Sequence, residues 1–144
     1  MILLIDTDIL IDFVTDRKPH SEAAGRLLNF LERAPGTAFV AWHTISNFYY
    51  IVSSGQSKDA SRAFLVDLAG FAQVAAVNTE SLRMALALPM SDFEDAMQVA
   101  SALACKAEAI VTRNLKDYRH SPIRALTAEE ALSLLDPGAE ISEA

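Results

Sequence analysis

The chain has 144 residues, 51% of them hydrophobic and 22% charged, with a formal net charge of −7. That length fits one domain of ordinary size, and the apolar share excludes disorder for most of the chain. No run of about 18 apolar residues is present, so no membrane-spanning helix is expected. The opening Met1-Ile2-Leu3-Leu4-Ile5 is too short for a signal peptide and lacks a basic flank. The one cysteine, Cys105, can form neither an internal disulfide nor a metal cluster alone, so a reducing cytoplasm is the expected compartment.

Charge is segregated along the sequence. The first sixteen residues hold four aspartates, Asp6, Asp8, Asp12 and Asp16, and no base. Arg113, Lys116, Arg119 and Arg124 cluster around a single acid, Asp117. Residues 125–144 carry five acids and no lysine or arginine. The overall balance disfavours non-specific binding to a polyanion, so a nucleic-acid contact would be local to the basic stretch.

The elements alternate. Ile2–Ile5 is apolar at every position, as in a strand buried on both faces. A short helix is predicted over Ile9–Phe13, then a turn at Arg17-Lys18-Pro19-His20. Ser21–Arg33 is a helix with Ala24, Leu27, Leu28 and Leu31 on one face, ended by Pro35-Gly36. Ala38–Trp42 reads as a second strand, and Thr44–Ser53 and Lys58–Ala69 as helices. Gln73–Val77 is a third strand. Thr79 is the expected cap of a helix to Leu88, where Pro89 interrupts. Ser91 with Glu94 three residues on suggests a capping box for a helix running to Ala107. Glu108–Thr112 is a fourth strand and Ile123–Leu126 a fifth, and Thr127 caps a last helix stopped by Asp136-Pro137-Gly138. The pattern predicts a three-layer α/β/α domain over residues 1–136, with a central, mostly parallel sheet of four to five strands. Residues 137–144 are expected to form a frayed tail.

In such sheets the site lies outside the carboxyl ends of the strands. Asp6 stands there, directly after the first buried strand. Asp8 follows it and also suits a helix cap. Asp92, Glu94 and Asp95 open a helix whose body is small and apolar. The dipole favours acids in a first turn, and Glu94 suits the capping box. Asp95 shares a face with Val99 and Ala102, at the rim of a buried helix, and needs a partner. Asp92 lies one turn earlier, and a bound cation would turn its repulsion of Asp95 into attraction. Thr112, Arg113 and Asn114 end the fourth strand, with Asp117 just beyond. Oxygen ligands without cysteine or paired histidine suit Mg²⁺ or Mn²⁺ rather than Zn²⁺.

Leu3-Leu4-Ile5-Asp6-Thr7-Asp8-Ile9-Leu10, then Asp92-Phe93-Glu94-Asp95-Ala96, then Val111-Thr112-Arg113-Asn114-Leu115-Lys116-Asp117-Tyr118 together resemble the PIN-domain family. The three motifs fall in order over nearly the whole chain. The resemblance implies a Mg²⁺- or Mn²⁺-dependent endoribonuclease acting on single-stranded RNA and leaving a 5′-phosphate and a 3′-hydroxyl. It also implies a small VapC-like toxin, held by an antitoxin protein and assembled as a homodimer. Carried over by position, Asp6 is the first metal-binding aspartate and Asp95 the third acid. The family often has a glutamate where this chain has Asn47, and an aspartate where it has Asn114. Asp92 and Asp117 are the candidates to compensate. The expected catalytic set is therefore Asp6, Asp95, Asp92 and Asn114, with Asp6, Asp95 and Asp92 on the metal. Arg113, Lys116 and Arg119 would hold the RNA backbone, and Thr7, Asp8, Asn47, Thr112 and Asp117 would support the site.

Two other readings stay open on the sequence. With Asn47 and Asn114 neutral, the domain could bind RNA or a protein without cutting. Apolar strand followed by Asp6-Thr7-Asp8 also resembles the haloacid-dehalogenase phosphatases, which need a mid-chain lysine; between Lys18 and Lys106 only Lys58 is present.

Overall fold

The computed structural model describes residues 1–138. Five parallel strands form one sheet in the order β3-β2-β1-β4-β5. They are β1 (Leu3–Ile5), β2 (Ala38–Val40), β3 (Ala72–Val74), β4 (Ala109–Val111) and β5 (Ala125–Leu126). Seven α-helices surround them: α1 (Thr7–Val14), α2 (Ser21–Glu32), α3 (Trp42–Gly55), α4 (Lys58–Ala69), α5 (Thr79–Ala87), α6 (Phe93–Ala104) and α7 (Ala128–Leu135). A single 3₁₀ turn over Leu115–Tyr118 follows β4. No described helix is long and apolar enough to cross a membrane.

Alternation along the strands builds the layers. Leu3, Ile5, Val40, Val111 and Leu126 join the core under α1, α2, α3, α4 and α7. Leu4 and Ile110 point the other way, against Val99 and Ala102 of α6. Leu3, Leu4 and Ile110 are fully buried, each worth about 1.5–3 kcal/mol of apolar transfer. β1 pairs with β2 on one side and β4 on the other, with Leu3 opposite both Ala38 and Ala109. The chain leaves β1 toward β2 and later returns to lay β4 on β1's far side, so the topological switch falls between β1 and β4.

Several boundaries differ from the sequence reading. β2 ends at Val40, and α3 begins at Trp42 rather than Thr44, because Ala41 already adopts the extended N-cap backbone. β3 stops at Val74 because its partner offers only Ala38–Val40 for pairing. The cap of α5 is Asn78, not Thr79: its Oδ1 accepts from the amides of Glu80 and Ser81, and Ser81 Oγ accepts from the Asn78 amide. The cap of α6 is Asp92, not Ser91, so Glu94 is released from the expected capping box. Thr127 caps α7 as expected, with Glu130 returning the bond. Of the expected frayed tail, residues 139–144 lie outside the described residues.

Candidate active site

β1 ends at Ile5, where the polar run Asp6-Thr7-Asp8 begins, and the chain turns through Asp6 directly into α1. Asp6 is the extended N-cap of that helix, and its Oδ1 accepts from the Thr7 amide at 2.7 Å. It is 8% exposed, at the switch point between β1 and β4. Two further side-chain donors fix it. Gln98, buried in α6, donates Nε2 to Asp6 Oδ1 at 3.1 Å and to Thr44 Oγ1 at 2.8 Å. Thr7 Oγ1 donates to Thr44 Oγ1. Tyr118 donates its hydroxyl to Asp6 Oδ2 at 2.9 Å and lies 3.4 Å from Asp95 Oδ1. A single phenolic hydrogen thus faces two carboxylates, and the shorter contact takes it.

Asp6, Thr7, Asp8, Ile11, Asn47, Ile51, Glu94, Asp95 and Asn114 line one cleft at this edge, of about 290 Å³. The lining holds four carboxylates and no lysine or arginine. Burial pushes the Asp6 carboxyl above the usual carboxylate range, against the pull of the Tyr118 hydroxyl. Burial, then the Asp6 charge, pushes Asp8 up to about 7. Burial, then Asp92 and Asp6, pushes Asp95 up to about 7. Glu94 is raised for the same reasons, its Oε1 accepting from Asn47 Nδ2 at 2.7 Å. Crowded, desolvated acids without a counter-charge are a site in want of a cation or protons.

The structure brings together Asp6, Asp95, Asn114, Thr7, Asp8 and Asn47 from the expected set. It places the others differently. Asp92 is exposed and caps α6, its Oδ1 accepting from the Asp95 amide at 3.0 Å. Thr112 is fully buried behind the cleft and donates to Asp8 Oδ2. Asp117 is exposed on the 3₁₀ turn and acts on Asp6 and Asp95 through its charge alone. Lys116 and Arg119 are exposed beside it. Arg113 donates Nε to Asp12 Oδ2 at 2.8 Å and a second guanidinium nitrogen to Asp12 Oδ1 at 3.3 Å. Asp8, expected only as support, is a wall of the cleft; its Oδ2 accepts from Thr112, Arg113 and Asn114, and its buried Oδ1 has no partner.

Sequence reasoning missed Gln98, Glu94, Asp12 and the bridging role of Tyr118. The signals were present: Gln98 and Ser101 are the polar interruptions on the body of α6, and Asp12 falls one turn after Asp8. Among the described residues, no group of three or more His, Cys, Asp or Glu side chains is placed to hold a metal ion. An Mg²⁺-type ion does not require such a group, since it keeps several waters and takes one or two carboxylates. The donor set, two raised carboxyls at one hydroxyl and an orphaned buried oxygen of Asp8, fits such an ion.

The solved structures with this fold include a toxin–antitoxin complex from Klebsiella pneumoniae, with a TM-score of 0.67 and 22% identity over 88% of this chain and 97% of that one. VapBC2 from Rickettsia felis, bound to a DNA fragment from their promoter, gives 0.69 and 17% over 88% and 98%. The sarcin–ricin loop cleaving toxin VapC20 of Mycobacterium tuberculosis gives 0.61 and 15% over 75% and 86%. A search of the curated proteins gives no match. The family model described as PIN domain matches residues 3–116, from the first residue of β1 through Asn114 into the 3₁₀ turn. With that span covering the sheet edge and both asparagines, the chain belongs to the PIN domain family.

Proposed function

We propose that this protein is a divalent-metal-dependent endoribonuclease of the cytoplasm that hydrolyses phosphodiester bonds in single-stranded RNA. The observation that carries the reading is the pairing of Asp6 and Asp95 across the Tyr118 hydroxyl, at the switch point of a PIN-domain sheet. Asp6 and Asp95 would hold Mg²⁺ or Mn²⁺, with Asn114 as a further oxygen donor in the cleft and Glu94 as a nearby negative charge. A bound ion of this kind lowers the pKa of a water and offsets charge on the phosphate.

The protein's own residues prepare that chemistry. Gln98 and Tyr118 donate to opposite oxygens of Asp6 and fix its plane. Burial keeps the Tyr118 phenol protonated, so it serves only as a donor to this carboxylate. In the metal-free cleft the Asp95 carboxyl is raised to about 7, so binding an ion would release its proton. Asn47 holds Glu94. Lys116 and Arg119, exposed beside Asn114, are the cations that meet the RNA backbone. Asp92 remains a helix cap in this reading. Asp8 is tied to the Thr112–Asn114 turn, and Lys58 does not line the cleft, so neither supplies the acid or the lysine of a phosphatase.

The relatives' assemblies support a toxin held by an antitoxin. An exposed apolar face supports a homodimer: Trp42 and Val66 are 65% and 73% exposed. They border a groove of about 790 Å³ with Ile45, Tyr49 and Leu65.

The test is Mn²⁺ titration by calorimetry, with a mixed single-stranded RNA panel, on the wild type and an Asp6→Asn, Asp95→Asn double variant. Metal binding and cleavage by the wild type alone are expected. RNA binding without metal-dependent cleavage by the wild type would make the domain a binding module instead.

A further inference from the structure

We infer that Arg113 is a positioning residue, clamped by Asp12 to hold the turn after β4 against the cleft, and not a contact for RNA phosphate. The inference rests on the nuclease reading above. Asp8 and Asp12 lie one turn apart on α1 and grip the same residue by different parts. Asp8 Oδ2 accepts from the Arg113 amide at 3.0 Å, while Asp12 takes the guanidinium through both carboxylate oxygens. Asp8 Oδ2 also accepts from Thr112 Oγ1 and Asn114 Nδ2. Thr112 Oγ1 in turn accepts from the Asn114 amide at 3.1 Å. The clamp therefore fixes Asn114, which lines the cleft.

Asp12 is 1% exposed, and the Arg113 side chain is 28% exposed. Arg17 approaches the same carboxylate only at 3.8 Å, from a half-exposed position. A phosphate that drew Arg113 away would strand a buried carboxylate, which is strongly unfavourable. A fork-to-fork guanidinium–carboxylate pair is also among the stronger hydrogen-bonded arrangements. Neither Asp12 nor Arg113 lines the acidic cleft. Both border a separate hollow of about 330 Å³ with His20 and Glu129. The basic stretch thus divides: Arg113 faces inward to α1, and Lys116 and Arg119 stay exposed.

The experiment measures cleavage of a short single-stranded RNA against salt for the wild type, Arg113→Gln, Asp12→Asn and the double variant. Arg113→Gln is expected to lower kcat by about 10- to 100-fold, the range for a displaced site. KM and its salt slope stay at wild-type values. Asp12→Asn gives the same loss, and the double variant adds nothing further, because the two residues act as one unit. It also leaves no unpaired buried charge, so it carries the test if a single variant fails to fold. A raised KM with a salt slope smaller by about 0.7 for Arg113→Gln, and an intact kcat for Asp12→Asn, would make Arg113 a phosphate contact. If the wild type binds no Mn²⁺ and cuts no RNA, the nuclease reading fails by itself. The clamp is then read by hydrogen exchange: the Arg113 and Asn114 amides exchange faster in Asp12→Asn while the core does not, and unchanged protection overturns it.

Discussion

Tyr118 reaches Asp6 from 112 residues away and donates its hydroxyl to Oδ2 at 2.9 Å. That bond draws the Asp6 carboxyl downward against the larger effect of burial. Tyr118→Phe keeps the ring and removes the donor. The fold should lose about 1 kcal/mol. The Asp6 pKa should rise further, so protons compete better with the metal. Mn²⁺ affinity at pH 7 is expected to fall, because a more readily protonated Asp6 carboxyl must release its proton before it can hold the ion. The deficit should shrink at pH 8.5. Calorimetry at the two pH values checks this, and a deficit equal at both would detach Tyr118 from the protonation of Asp6.

Asp8 and Asp95 both rise to about 7. Between the ordinary aspartate value and 7, the folded protein binds more protons than the unfolded chain. Stability therefore falls as pH rises through this window, being fullest near pH 4 and least above about pH 7. The metal-free protein should melt at a higher temperature at pH 5.5 than at pH 8. Asp8→Asn should flatten that slope, and Mn²⁺ at pH 8 should recover the lost degrees. A melting temperature that climbs from pH 5.5 to 8 would contradict the cleft electrostatics.

Gln98 is 1% exposed and donates to Asp6 and Thr44 at once. Gln98→Met preserves volume but takes one donor from each acceptor, leaving Asp6 Oδ1 only the Thr7 amide and Thr44 Oγ1 only the Thr7 hydroxyl. A loss of about 1–3 kcal/mol is expected from the two removed hydrogen bonds, one of them to a carboxylate, read as a fall of roughly 3–10 °C in Tm at this chain length. Metal affinity should drop with it, because Asp6 loses one of the two donors that fix its plane. An unchanged Tm would mean that water replaces the amide.

Glu94 is held in the cleft by Asn47 at 2.7 Å. Glu94→Gln retains an acceptor for that bond, so stability should stay within about 0.5 kcal/mol. Mn²⁺ should bind several-fold more weakly if Glu94 supplies a charge to the ion. Equal affinity would leave Glu94 as a wall of the cleft only.

The sequence by itself determined the layered parallel sheet, because an unbroken apolar run such as Leu3–Ile5 can be satisfied only by burial on both faces. It also placed Asp6 and Asp95 in the cleft, since an acid directly after a buried strand and one on the first turn of a buried helix have few other places to lie. Local rules misassigned the caps of α5 and α6, where two adjacent residues are each chemically able to cap and only the path of the entering chain selects one. The long-range bonds lay beyond sequence. Gln98 to Asp6, Tyr118 between Asp6 and Asp95, and Asp12 to Arg113 join residues 92, 112, 23 and 101 positions apart. Which basic residue faces an acid and which faces solvent depends on the placement of α1 against the turn after β4, and that placement is made by packing, not by spacing along the chain.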